Sequence, residues 1–541
     1  MSPLAKGATA GGTCPSGVPS GITSCYYIAA NGVDSASGTS EASPWLHAPG
    51  MTGCSGACAA VTPTQGQGFI VRGGDTWHYS AGSPVGLPWT WSWNGSSSKP
   101  IYIGIDPSWS VGGNWARPIL TMDNPLSNNQ PSSCTYDDNS NTAVSLNGVS
   151  NVTFDNFEFT GKCWGGEPSG ASLNLGTGAT NVTVSNSYFH GWTMAKTATD
   201  DRHFMIGSYT TNSNTGNVYS GNVFDGSDST FGNVCTTPTC VGNFSATQGA
   251  ATGWAIAGEC YDVHGNVFRH VSNGIECGNI TIVHDNLFEY LFEPLNNAPH
   301  GNVVESLGGY TGETAYFYNN VTRNTNEGVN WWPQFTNAYI FNNVWENDGH
   351  YSPDANCLMI SPPGASNIAE TVNAFVYNNT FDGTCSAQAQ AGNTWTPHWA
   401  SGSSLTFANN HILDRTSISG FFTCNSPSVC GQTDSGGEVF QTTSAANAQG
   451  YTLANNFQPT SGSGATVGAG NNASSSCATF SPDRSLCAGT SDGSSEGPDY
   501  IAVDPAIPMI PRASSWDAGA YEFGSGGSDP NPPTGLTAAV Q

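Results

Sequence analysis

Between Asn273 and Asn347 one arrangement of apolar and polar positions recurs, in NGIECGNITIVHDNLFEY, NVVESLGGYTGETAYFYNNVTRNTNEG and GVNWWPQFTNAYIFNNVWEN. Each stretch opens with a short apolar strand and passes a turn. It then alternates (Ile280, Ile282; Ala315, Phe317; Ala338, Ile340) into an Asn followed by an apolar pair. Period-two alternation closed by Asn or Gly predicts strands separated by turns. A unit of this size cannot bury its apolar face alone, so neighbouring copies must stack, and the pattern predicts a solenoid of strands.

From Asn151 the same unit is written as NVTFDNFEF, NVTVSNSYF, GNVYSGNVF, YDVHGNVF, NITIVHDNLF, AYFYNNVT, AYIFNNVW, AFVYNNTF, LTFANNHI and YTLANNF. Its Asn falls at 156, 186, 222, 266, 286, 320, 343, 379, 410 and 456. Spacings of 20 (266 to 286) and 23 (320 to 343) give the bare coil, and longer ones imply insertions. Asn tolerates a left-handed turn, and its amide can bond to the next Asn along a stack, so the column reads as structural.

The first ordered segment, CYYIAANGVDSASGTSEASPW at 25–45, resembles the opening of right-handed parallel β-helix proteins of the pectate-lyase-like superfamily. The ending SSWDAGAYEF resembles their last coil. The resemblance implies an all-β, single-stranded right-handed parallel β-helix over residues 25–523 with long inserted loops. Residues 1–24 read as a flexible leader and 524–541 as a Gly/Ser/Pro linker toward a further module. That superfamily includes lyases, hydrolases and adhesins, so the fold leaves the activity open.

Composition narrows the function. Lys and Arg number 12 against 39 Asp and Glu, a net charge of −27, which repels phosphate backbones and excludes nucleic acid as an expected partner. Polyuronate lyases need basic side chains at the substrate carboxylate, and the shortage of Lys and Arg weighs against them. The 16 cysteines lie in Gly/Ser/Thr-rich sequence, with close pairs at Cys54/Cys58, Cys235/Cys240 and Cys424/Cys430. None has zinc-like spacing with a matching second pair, so disulfides and a secreted protein are expected. No apolar run reaches membrane-spanning length. A monomer is expected.

If the alternating strands stack in register, the short strands before them stack too. Aligning WAIAGE (254–259), GIE (274–276), NVVE (302–305) and GVN (328–330) places Glu259, Glu276, Glu305 and Asn330 at one position of successive coils. Rungs of a parallel stack lie about 4.8 Å apart. Two carboxylates at that distance repel by about 3 kcal/mol at an effective dielectric near 20, equivalent to about two pKa units. One of them is then held protonated, as a general acid must be, or a cation such as Ca²⁺ sits between them. A bland alternative is a row of glutamates ending strands on a solvated face.

A second constellation, Asp200-Asp201-Arg202-His203, resembles the paired Asp of polygalacturonases, although the Gly-His-Gly and Arg-Ile-Lys of that family are absent. Trp331 and Trp332 follow the Asn330 rung and suit stacking on sugar rings. Around them Arg269, His270 and Glu327 supply polar groups. The sequence therefore predicts an extracellular glycoside hydrolase acting on a neutral or weakly charged polysaccharide, requiring no cofactor. Glu276 and Glu305 are the acid and nucleophile or base, assisted by Glu259 and Asp201. Trp331, Trp332, Arg202, His203, Arg269, His270 and Glu327 are the substrate contacts. The alternatives are a Ca²⁺-dependent polysaccharide lyase with Arg202 or Arg269 near the proton, and a non-catalytic adhesin or glycan-binding stalk.

Overall fold

The alternating segments form strands that stack in parallel along most of the chain. In the computed structural model, residues 11–523 are described except for 126–130, 137–141, 166–170, 196–203, 208–215, 227–253, 292–300, 306–312, 326, 332–334, 347–356, 361–370, 384, 386, 390–401, 425–429, 478–479, 481–485, 487, 490–509 and 513–514. Two large sheets hold 22 and 12 strands among the described residues, and every strand pairing within them is parallel. A typical coil runs up Asn273–His284 and turns into Leu287–Glu289. The long strand contributes both a first and a second face to the larger sheet, and the short one supplies the third face in the smaller sheet. The molecule is a parallel β-helix, the fold class read from the sequence.

Alternation explains the core. Val263, Val283, Phe317, Ile340, Val376 and Phe407 occupy one inward column of the second face, and all are buried. On the third face Phe159, Phe189, Phe224, Phe268 and Phe288 stack ring on ring, with centroids 4.6–5.1 Å apart. Such offset aromatic pairs add to the burial of their area.

The corner between the second and third faces divides the work that the sequence reading gave to a single Asn. Left-handed backbone falls on Asn156, Asn186, Gly221, Gly265, Asp285, Asn319, Asn342, Asn378 and Asn409, with φ between 52° and 65°. From Asn186 onward the residue after each makes the ladder. Asn222, Asn266, Asn286, Asn320, Asn343, Asn379 and Asn410 are buried, and the side-chain oxygen of each after Asn222 accepts from the amides of the Asn one coil earlier. The side-chain amide of each also donates to a strand carbonyl of the preceding coil, as from Asn320 to Val283 at 3.1 Å. Asn156 and Asn186 thus belong to the left-handed column; Ser187 stands in the ladder there, its Oγ accepting from Phe157. Asn456 caps a short 3₁₀ turn and lies outside the stack.

At the start, Cys14 is disulfide-bonded to Cys25 and Gly12 bridges Cys25 antiparallel, so part of the segment read as a leader is pinned to the body. At the end, the described part of the closing block (510–512 and 515–523) docks sideways on the left-handed column rather than adding a coil. Arg512 is fully buried, donating to Glu522 at 3.0 Å and to Asn342 at 2.8 Å, while Asn378 donates to the Asp517 carbonyl. Five disulfides join described residues: Cys14–Cys25, Cys54–Cys58, Cys134–Cys163, Cys260–Cys277 and Cys357–Cys385. Among the described residues no helix is long and apolar enough to cross a membrane.

Candidate functional site

On the first face, Glu276 pairs with Glu305 in direct register, and Glu305 with Asn330. The two carboxylate-bearing positions are one rung apart because their strands, Asn273–His284 and Asn302–Glu305, follow the same inward column of Ile275, Val304 and Val329. Glu276 is partly buried, and the next residue, Cys277, is tied to Cys260 of the preceding coil, which holds this corner rigid.

Glu259 leaves this ladder. The strand Trp254–His264 pairs with Asn273–His284 through Ile256 opposite Ile275, so that Ala257 opposes Glu276, and beyond Gly258 a bulge skips Gly278 and sets Glu259 opposite Asn279. Gly258 takes φ 111°, a backbone that favours glycine, and Glu259 lies two residues past the column, a displacement already fixed by the pairing of Ile256 with Ile275. The expected row of three carboxylates is therefore two. Glutamate oxygens remain donors of the kind calcium takes.

The remaining expected site residues fall in different places. Asp201, Arg202, His203 and Trp332 lie outside the described residues. Glu327 and Trp331 bound the strand of the next rung, with Glu327 opposite Asn302. Trp254, which is not among the expected residues, is buried at 5% exposure in an apolar cluster with Phe204, Ala171 and Ala257. Arg269 and His270 belong to the third face. Arg269 sits between Asp225 at 3.9 Å and Glu289 at 3.6 Å, and His270 bonds to Asp225 at 3.1 Å. Arg323 in turn donates to Glu289 at 2.8 Å. The column Asp225, Arg269, Glu289, Arg323, Glu346 alternates in charge rung by rung. Sequence reasoning missed it, although NVFD, NVFR, NLFE, NVTR and NVWE carry the alternation in their last letters.

The second face holds a further polar cluster. His264 and His284 are paired in register with rings stacked at 4.8 Å. Asp262 reaches both, with Oδ1 at 2.9 Å from Nδ1 of His264 and 3.3 Å from Nε2 of His284. Nδ1 of His284 donates to Asp285 at 2.6 Å. Burial opposes charge on His284, yet its two carboxylate neighbours push its pKa up to about 9. Burial likewise works against ionisation of Asp262, and the two imidazoles overcome it and hold the carboxyl below its usual range. The visible signal was a His just before the turn in consecutive repeats, DVHGN and IVHDN.

No family model and no curated protein matches this chain. Among solved structures it is similar to a rhamnogalacturonan lyase at 12% identity, covering 76% of this chain and 87% of that one with a TM-score of 0.42. It is also similar to the pectate lyase Pel9A at 15% identity, covering 92% and 96% with a TM-score of 0.40. A third is the GH136 lacto-N-biosidase from Eubacterium ramulus, at 13% identity over 77% and 68% with a TM-score of 0.36. The likeness is one of fold and assigns no activity.

Proposed function

We propose that this protein is an extracellular carbohydrate-active enzyme, a glycoside hydrolase that cleaves a neutral or weakly charged polysaccharide on the first face of the solenoid. The observation that carries the reading is the direct register of Glu276 with Glu305. A rung of about 4.8 Å falls close to the roughly 5–5.5 Å that separates acid and nucleophile in retaining glycosidases. Two carboxyl-bearing positions on adjacent rungs suit a division of roles in which one residue is the general acid and the other the nucleophile. Asn330 on the next rung continues the same column. Disulfides suit an oxidising, extracellular setting.

The calcium-dependent lyase is the second enzymatic reading, since two adjacent glutamates also suit a cation. It is weakened at Arg269, whose guanidinium is flanked by Asp225 and Glu289 and is poorly placed to receive a substrate proton.

The test is a panel of neutral and acidic polysaccharides, with and without chelator, following reducing ends and the absorbance of unsaturated products together. Reducing ends should appear without new absorbance, and Glu276→Gln or Glu305→Gln should lower the rate by about 10²–10⁴-fold. Chelator-sensitive absorbance would assign a lyase instead. Silence across the panel would favour a binding or structural protein.

A further inference from the structure

We propose that Asp262, His264 and His284 form a binding site for a divalent transition-metal ion such as Zn²⁺, which clamps two successive coils on the second face. The inference is independent of the hydrolase reading, because it uses other side chains on another face.

Donor atoms of the three residues lie within 4.8 Å of one another. They come from strands already held in register, Trp254–His264 and Asn273–His284, so the backbone bears the cost of bringing them together. His284 is buried, with 7% exposure, and its Nε2 lies 3.3 Å from Asp262 without well-formed hydrogen-bond geometry. Its Nδ1 donates to Asp285 at 2.6 Å, leaving Nε2 as the ligand atom. A carboxylate behind a histidine in this way fixes the tautomer and orientation of metal-ligating imidazoles.

Charge supports the same conclusion. Asp262 and Asp285 place two carboxylates around the imidazole pair, an environment that favours a cation. Two imidazoles and one carboxylate suit zinc, copper, nickel or iron, whereas calcium and magnesium prefer oxygen alone. Stacked rings direct their lone pairs side by side, so one ring must turn for both to converge. His264 has the freedom to do so, with its side chain 26% exposed against 8% for His284. The half-open side next to His264 and Asp262 leaves a fourth position for water or a ligand.

The experiment uses the full chain, stripped with chelator and titrated with Co²⁺ followed by visible absorption, then with Zn²⁺ in competition. One equivalent should bind. His264→Ala should weaken binding by at least about 100-fold, and Asp285→Asn by about 10–100-fold. His190→Ala, on the third face beside Glu158, should leave the affinity unchanged. His264 is partly exposed, so its variant should keep the far-ultraviolet circular dichroism of the parent, and Asp262→Asn provides a second check should it unfold. No binding at millimolar metal overturns the proposal. Binding that survives both His264→Ala and Asp262→Asn, or that falls equally in His190→Ala, also overturns it.

Discussion

Glu438 stands at the end of the asparagine ladder, where an Asn would continue it. Val439 pairs with His411, so Glu438 occupies the corner after Asn410 and accepts from both the backbone and side-chain amides of that residue. Burial pushes its pKa up to about 8 from 4.5, outweighing those two hydrogen bonds, which favour the anion. The folded state therefore holds this proton over a range where the unfolded chain has released it. Its stabilising contribution is complete below about pH 4.5 and declines as pH rises through about 8. Glu438→Gln keeps an acceptor and removes the titration. Thermal midpoints measured from pH 4 to 9 should therefore slope less for the variant than for the parent between these two values, with the variant higher by roughly a few degrees at the alkaline end. Identical slopes would place the proton elsewhere.

At the scale of the element, the corner assigns conformation and hydrogen bonding to consecutive residues, so two neighbouring asparagines should respond differently to substitution. Asn319 has φ 55°, and its amide reaches Asp285 at 3.3 Å. Glycine adopts that backbone freely, and Asn319→Gly should cost about 1 kcal/mol or less in urea unfolding. Asn320 accepts from the backbone and side chain of Asn286 and donates to Val283, Tyr318 and Asn343, all within the core. Asn320→Ala leaves several of those groups buried without a partner, at about 1–3 kcal/mol each. Its loss should exceed that of Asn319→Gly by about 2 kcal/mol or more. Equal costs would mean that the ladder is a passenger of the stacked strands.

For the whole molecule, the sideways docking of the closing segment depends on one guanidinium. Arg512 joins Glu522 and Asn342, and its planar face lies over Trp516 at 5.2 Å. Its burial pushes the guanidinium down to about 10, and the nearby Glu522 and Asp517 carboxylates work to keep it charged. Removing one partner of such a buried pair typically costs about 3–5 kcal/mol. Arg512→Leu should therefore release the segment while the coils persist. Limited proteolysis should cut the variant near 510–523 much faster than the parent, with the far-ultraviolet spectrum of both unchanged. Resistance equal to the parent would show that Trp516 and the Asn378 contact hold the segment alone.

The amino-acid sequence by itself determined the fold class, because alternation and a corner asparagine are local patterns that every copy repeats. It also placed Glu276 opposite Glu305, since both strands follow the same apolar column. Disulfide chemistry was legible for Cys54 and Cys58, four residues apart. Tertiary structure decided what depends on the register between coils. Register set Ala257, not Glu259, beside Glu276, because the buried Ile256 pairs with the buried Ile275. Which of two adjacent asparagines turns and which bonds was settled by the stack, because left-handed backbone and ladder geometry are satisfied at different positions of the corner. His264 came to lie over His284 because register brings together residues twenty apart in the chain.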